Sequence, residues 1–451
     1  MVSLDTIAAI ATPPGRGGIG VIRISGKDLS KLAERILGKL PEPRFASYSS
    51  FRGAHGHIID QGIALYFPAP RSYTGEDVLE LQGHGGPAVM NLLLASCLTA
   101  GARLAQPGEF TLRAYLNHKI DLIQAESVAA IIEASTNQAA QCAIHSLQGH
   151  FSTKIHELVN TLIKLRMLVE ATLDFPEDEI DNLHTIKINE KLAQICNRLE
   201  QIILSARQGN LLQEGIRIAL VGAPNVGKSS LLNQLAHEEA AIVTEIPGTT
   251  RDTIQRTISI DGIPIHIMDT AGLRETNDIV EQKGIERTHA AIHSADMILS
   301  LVDISQQQPN TTYPIQQVVP TGKPQVTVYN KIDLVHDQPG IKEQENGIAI
   351  YLSAKTGVGI DLLKRKILDL AGWQLNLAGE GLFMARQRHL EALGQAHAHI
   401  VCAQSAMQHQ YQLEILAEEL RLTQDALSSI TGEFTADDLL GEIFSHFCIG
   451  K

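Results

Sequence analysis

The spacing of apolar positions changes along the chain, and the changes divide it into four regions. Up to about residue 118, short β-branched and aromatic runs (residues 20–25, 63–67 and 78–82) alternate with Gly and Pro turn residues, which predicts an α+β region. From 119 to about 210, Gly and Pro nearly vanish. Leu147, Phe151, Ile155, Leu158, Leu162, Leu165 and Val169 step by fours and threes, which predicts a long amphipathic helix with one buried face. After Gly215, strand-like runs at 216–221, 263–268, 297–302, 326–329 and 348–352 alternate with helical stretches. That alternation implies a parallel sheet covered on both faces. From about Phe383 the chain is helical again, and Leu413, Leu416, Leu420, Leu427 and Ile430 keep the stripe until Gly432 stops it.

Helical, then α/β, then helical suggests an α/β unit placed in a loop of a helical bundle, because domain termini often lie close together. The expected division is an N-terminal α+β domain at 1–118, a discontinuous helical domain at 119–213 and 378–451, and an α/β domain at 214–377. Two separate small bundles would give the same pattern.

Composition narrows the class. Hydrophobic residues at 44% and charged residues at 19% fit globular domains and not a disordered chain. The excess of 50 acidic over 37 basic side chains, a formal charge of −13, argues against broad non-specific nucleic-acid binding, although a local basic patch stays open. No apolar run is long enough for a membrane span, and the first residues lack the basic start of a secretory signal. The five cysteines are scattered with no C-x-x-C pair, so neither a disulfide framework nor a zinc knuckle is indicated and a reducing cytoplasm fits.

The chemistry concentrates in the α/β region. Gly222-Ala223-Pro224-Asn225-Val226-Gly227-Lys228-Ser229 follows a predicted strand and precedes a helical run from Ser230. Such a loop wraps phosphates in backbone N–H groups at a helix N-terminus; Lys228 would meet the β- and γ-phosphates and Ser229 a magnesium ion. Asp269-Thr270-Ala271-Gly272 ends a second strand, where the carboxylate suits a magnesium water and the Gly272 amide the γ-phosphate. Asn330-Lys331-Ile332-Asp333 ends a third, and Asp333 can accept from N1–H and the exocyclic amine of guanine, a pair adenine does not offer. Ser353-Ala354-Lys355 would back the base with a main-chain amide. All four fall at strand ends, where open α/β sheets bind ligands, so the chain reads as a GTPase.

Leu273 stands where Ras-like proteins carry the glutamine that orients the attacking water. Hydrolysis must therefore be assisted from elsewhere. Arg251, Arg274, Glu281 or a second cation are the candidates, and both arginines also read as solvated loop charges.

The phosphate loop with Asn225, the Gly248-Thr249-Thr250-Arg251-Asp252 segment, Asp269 to Glu275 and the terminal Cys448-Ile449-Gly450-Lys451 together resemble the MnmE (TrmE) family, the bacterial tRNA-modifying GTPases. The resemblance spans essentially the whole chain and includes Pro13 to Gly18, Leu79 to Gly86 and Thr431 to Asp438. It implies a tetrahydrofolate-binding, dimerising N-terminal domain, a helical domain and an inserted Ras-like GTPase domain. It also implies a homodimer that works with the flavoprotein MnmG, in a heterotetramer or larger complex, to place a (carboxymethyl)aminomethyl group on carbon 5 of the wobble uridine of certain tRNAs. The one-carbon unit would come from 5,10-methylene- or 5-formyl-tetrahydrofolate, with FAD and NADH used through the partner.

By the same likeness the GTP site comprises Asn225, Val226, Gly227, Lys228, Ser229 and Ser230, then Thr244, Glu245, Ile246, Pro247, Gly248, Thr249 and Thr250, then Asp269, Thr270, Ala271 and Gly272, and lastly Asn330, Lys331, Asp333, Ser353, Ala354 and Lys355. Potassium matches Asn225, Thr244, Ile246 and Thr249, and magnesium matches Ser229 and Thr250. The activating glutamate matches Glu281, and the folate residues match Arg23, Glu80, Lys119 and Lys451. Potassium beside the phosphates would supply the charge an arginine finger supplies elsewhere.

At the tail, Thr435 can cap a last helix whose stripe of Leu439, Leu440, Ile443, Phe444 and Phe447 would dock it and hold Cys448 in place. A cation such as Lys451 nearby would favour the thiolate. The competing reading is a GTP-dependent assembly factor or switch, which needs neither the N-terminal domain nor Cys448.

Overall fold

The computed structural model describes residues 5–174, 182–237, 255–269, 290–306, 322–344, 347–374, 381–408, 412–432, 443–444, 447 and 450. They form two compact units. The first comprises Met1–Ala129, Leu147–Asn189 and His399–Lys451, the second Ala130–Ser146 and Glu190–Ala398.

In the first unit six strands, β1 (Ile7–Ile10), β2 (Gly17–Gly26), β3 (Ser47–Arg52), β4 (Ile58–Phe67), β5 (Asp77–Gly85) and β6 (Arg103–Leu104), form a sheet of order β3-β4-β5-β2-β1-β6. Only β1 and β6 run parallel. Helices Ser30–Leu37 and Pro87–Thr99 pack on one face, around Ile22, Ile24, Phe51, Leu79, Leu81 and Leu93. Successive side chains of a strand point to opposite faces, so burial of Ile22 and Ile24, and of Leu79 and Leu81, sends Arg23 and Glu80 to the other face. Register then sets these two opposite each other across β2 and β5.

The long helix expected through 147–169 is two helices. Asn137–Leu147 ends before Gly149, whose φ of 86° is left-handed, and His150–Asp174 starts afresh. Leu147 thus belongs to the earlier helix, while Phe151, Ile155, Leu158, Leu162, Leu165 and Val169 form the buried stripe of the later one. That helix packs against Leu413–Thr431, with Arg166 donating to Gln424 Oε1 at 2.7 Å. Gly432 closes the second helix in left-handed conformation. Ile443, Phe444 and Phe447 are buried with Leu122, Ala125 and Ala129.

The second unit holds β7 (Ile216–Gly222), β8 (Gln255–Ile260), β9 (Ile263–Asp269), β10 (Met297–Asp303), β11 (Gln325–Asn330), β12 (Gly340–Gln344) and β13 (Gly347–Tyr351). Their order is β12-β13-β11-β10-β7-β9-β8. The five inner strands are parallel, and β8 and β12 run antiparallel at the two edges. The central strands β7 and β10 are nearly continuous apolar runs buried on both faces, β11 alternates buried Val326, Val328 and Asn330 with half-buried residues, and β12 is mostly exposed and polar. Contacts group residues 190–214 and 387–398 with this sheet. Buried Gln208 shows how: its amide donates to the Gly372 carbonyl at 2.9 Å and accepts from the Gln374 N–H at 2.9 Å. Among the described residues no helix is long and apolar enough to cross a membrane.

Candidate functional site

Strand order reverses direction around β7: β9 continues to one side and β10 and β11 to the other. Ligands of open parallel sheets bind in the crevice this reversal opens at the carboxyl ends of the strands. The loop from Gly222 to Gly227 sits there and leads into helix Lys228–His237. Asn225 (φ 64°) and Gly227 (φ 101°) are both left-handed, which turns backbone N–H groups inward as an anion cradle needs. Gly227 is required twice over, since a Cβ there would lie 2.3 Å from Asn330 Nδ2. Lys228 Nζ donates back across the loop to the Gly222 carbonyl at 3.0 Å. Asn225, Ser229 and Ser230 are exposed at the loop and helix start, open to a nucleotide or a cation.

The base-facing end is locked to the phosphate loop by one side chain. Asn330, only 2% exposed, donates from Nδ2 to the Val226 carbonyl at 2.8 Å and accepts at Oδ1 from the Ala354 N–H at 2.8 Å. Ser353 Oγ donates to Asp333 Oδ1 at 2.6 Å, which orients that carboxylate. Lys331, left-handed at φ 71°, pairs with Asp303 Oδ2 at 2.6 Å. Burial works against the charge of Asp303, but hydrogen bonds from Lys331 and Ser305 outweigh it and hold the carboxyl below its usual range. Sequence reasoning missed Asp303. Its signal was available, because it ends β10 as Asp269 ends β9 and Asn330 ends β11.

In the first unit Arg23 Nη2 pairs with Glu80 Oε1 at 2.9 Å. The guanidinium lies 5.5 Å from the Tyr73 ring centre and 5.9 Å from that of Phe110. Burial pushes the Tyr73 phenol up, against Thr111 and Arg23, which favour its ionised form. Lys119 is exposed, and its Nζ donates to the Pro70 carbonyl at 3.0 Å, at the start of the loop that carries Tyr73. The tail also reaches this sheet: a Cβ at Gly450 would sit 2.5 Å from the Ile10 carbonyl oxygen, and Ile10 follows Ala9, the β1 partner of Arg23. The same unit holds an ionic network, centred on buried Arg113 and Glu109, that sequence reasoning did not find. Arg113 binds Asp5, Glu76 and Glu109 at 2.9–3.0 Å, and Arg103 binds Asp5 and Glu109.

The remaining expected site residues, 244–251, 270–274, Glu281, Cys448 and Lys451, lie outside the described residues, as does the side chain of Asp269.

A parallel sheet of this order, with a glycine-bent phosphate loop at its switch point tied to an Asn-Lys-x-Asp turn, defines a P-loop GTPase domain of the Ras-like class. The model of the "GTP-binding protein TrmE N-terminus" matches residues 6–119, and that of the "MnmE helical domain" matches residues 122–448. The chain is 63% identical over 451 residues to the tRNA modification GTPase MnmE of Nitrosomonas europaea, covering 100% of both chains. It is 59% identical to that of Nitrosospira multiformis, again over 100% of both. To that of Chromobacterium violaceum it is 54% identical, over 99% of this chain and 98% of the other. The chain belongs to the MnmE family of tRNA modification GTPases, and it is a GTP hydrolase.

Proposed function

We propose that this chain is a potassium-activated GTPase that acts as a homodimer in the cytoplasm with the flavoprotein MnmG. Together they add a (carboxymethyl)aminomethyl group to carbon 5 of the wobble uridine of certain tRNAs, using a folate one-carbon unit. Its parts are an N-terminal domain (1–118), a helical domain (119–213 and 378–451) and a GTPase domain (214–377). Asp333, oriented by Ser353, accepts from the guanine N1–H and 2-amino groups, and the Ala354 to Lys355 backbone supports the base. Lys228 leaves the Gly222 carbonyl for the β- and γ-phosphates. Ser229 and Thr250 hold magnesium, and Asn225, Thr244, Ile246 and Thr249 hold potassium, which adds positive charge where negative charge develops. Glu281 orients the attacking water.

Arg23, Glu80, Lys119 and Lys451 take the folate. A carboxylate facing a guanidinium suits the donor–acceptor edge of a pterin, half-buried Tyr73 offers an aromatic ring beside them while buried Phe110 backs the guanidinium, and Lys119 suits the glutamate tail. Cys448 is the thiol of that pocket. FAD and NADH enter through the partner.

One observation carries the reading over a bare GTP-driven assembly factor. Gly450 reaches β1 one residue past the strand partner of Arg23, so the tail approaches the sheet that carries Arg23 and Glu80, which supports a shared site. The test is mass spectrometry of wobble uridines from cells lacking the protein, complemented with wild type, Arg23→Ala or Glu80→Ala. Wild type should restore the modification, while both variants keep GTP hydrolysis and fail to restore it. Unchanged wobble uridines in the deletion strain would refute the function.

A further inference from the structure

Helix Asn182–Glu214 carries Cys196 and Glu200 four residues apart and so on one face, and helix Gln387–Gln408 brings His397 to them. Cys196 Sγ lies 3.7 Å from Glu200 Oε1, and His397 Nε2 lies 3.4 Å from the same oxygen. All three donor atoms lie within 4.8 Å of one another. Cys196 is buried, His397 half-buried and Glu200 exposed, so the cluster is dry on one side and open to solvent on the other.

We propose that Cys196, Glu200 and His397 form a zinc site, with solvent in the fourth position, that clamps helix Asn182–Glu214 to helix Gln387–Gln408. The spacing is that of a tetrahedron's edges. Zn–S of about 2.3 Å with Zn–N and Zn–O of about 2.0–2.1 Å puts sulfur roughly 3.6 Å and imidazole nitrogen roughly 3.4 Å from the carboxylate oxygen. Those separations match the observed 3.7 and 3.4 Å without movement of either pair. Only the sulfur and nitrogen must approach, by at most about 1.2 Å, and the half-buried His397 beside exposed Glu200 leaves room for it. Thiolate, imidazole and carboxylate together suit zinc and disfavour magnesium and calcium, which take oxygen donors. A His–Glu hydrogen bond alone would explain His397 and Glu200. It would not explain a buried thiol directed at the same oxygen.

In the metal-free chain the Cys196 thiol donates to Glu200. Zinc takes the place of that proton: the S–H bond breaks, a Zn–S bond forms, the proton passes to solvent, and nothing is oxidised. No other candidate site residue takes part, so the clamp is independent of the GTP and folate readings.

The test uses the full chain, stripped with chelator and titrated with Zn(II) or Co(II) in buffer without nucleotide or magnesium. Wild type should take up about one equivalent, show a thiolate-to-cobalt charge-transfer band and melt at a higher temperature with zinc. Cys196→Ser should lose the band, and Glu200→Gln should weaken binding roughly tenfold or more. Both should hydrolyse GTP as wild type does. The Glu200 side chain is 54% exposed, so Glu200→Gln tests the site without threatening the fold. A band that persists in Cys196→Ser, uptake unaffected by Glu200→Gln, or no uptake by wild type would each overturn the proposal.

Discussion

Replacing Asn330 with Ala should uncouple the base-binding turn from the phosphate loop. The substitution removes both 2.8 Å hydrogen bonds at once and strands the Val226 carbonyl and the Ala354 N–H in a site that is 2% exposed. A buried group left unpaired costs about 1–3 kcal/mol. Two such groups put the total at roughly 2–4 kcal/mol once a water is admitted to the vacated space. Where the cost is felt depends on the loops. If they relax without nucleotide, GTP binding must reorder them and the dissociation constant rises by roughly 30- to 700-fold. If they stay rigid, the cost appears as lost stability of the α/β unit. Titration with a fluorescent GTP analogue and urea unfolding of the same sample read both. Asn330→Asp should be at least as damaging, because it keeps the acceptor for Ala354 but sets a carboxylate oxygen against the Val226 carbonyl. An Asn330→Ala protein whose GTP affinity stays within threefold and whose unfolding midpoint is unmoved would refute the bridge.

Asp333→Asn should bind xanthosine in preference to guanosine nucleotides in competition assays; a wild-type chain that bound ATP as tightly as GTP would remove the basis for this. Exchanging potassium for sodium should lower kcat with little change in GTP affinity, and Glu281→Ala should do the same, since a group acting mainly in the transition state affects turnover more than binding. Equal rates in the two salts would reject potassium activation. Arg113→Leu should destabilise the N-terminal unit by roughly 2–4 kcal/mol in urea melts, because it strips half-buried Glu76 of its cation and leaves buried Glu109 with Arg103 alone. Burial opposes the charge on Glu109, but Arg103, the Gln106 N–H and Arg113 hold its carboxyl below the ordinary 4.5. That contribution to stability is complete above about pH 4.5 and should fade as the pH falls through the lower folded-state value, which a pH series of melts checks. Deleting residues 448–451 should abolish wobble-uridine modification while GTP hydrolysis continues; a truncated protein that still restores the modification would reject the tail's role.

The nucleotide-site motifs were legible because each is contiguous and sits where a strand ends. Gly222 to Ser229 needs two left-handed residues in a fixed order, and that requirement is written in adjacent letters. The central strands β7 and β10 were legible for a related reason, since burial on both faces leaves nearly unbroken apolar runs, and β11 was legible from its alternation. β8 and β12 were not, because an edge strand with one wet side resembles a polar loop. The break at Gly149 hid inside an apolar stripe that continues on both sides of it. Residues that meet only through tertiary structure left no local trace. Arg113 with Asp5, and Cys196 with His397, are separated by long stretches of chain and share no motif.

β12 rims one edge of the α/β sheet with Lys342, Glu343 and Gln344 exposed, and Lys342 lies 4.4 Å from the centre of the Tyr351 ring on β13. Charges on an outer strand discourage a second chain from adding to the ladder. The protein therefore carries its own guard against edge-to-edge aggregation, made from residues that contribute little to its core. Replacing Lys342 and Glu343 with valine would leave the fold's interior untouched and turn the rim into a template for strand addition. Self-association would then set the concentration at which the protein could be handled.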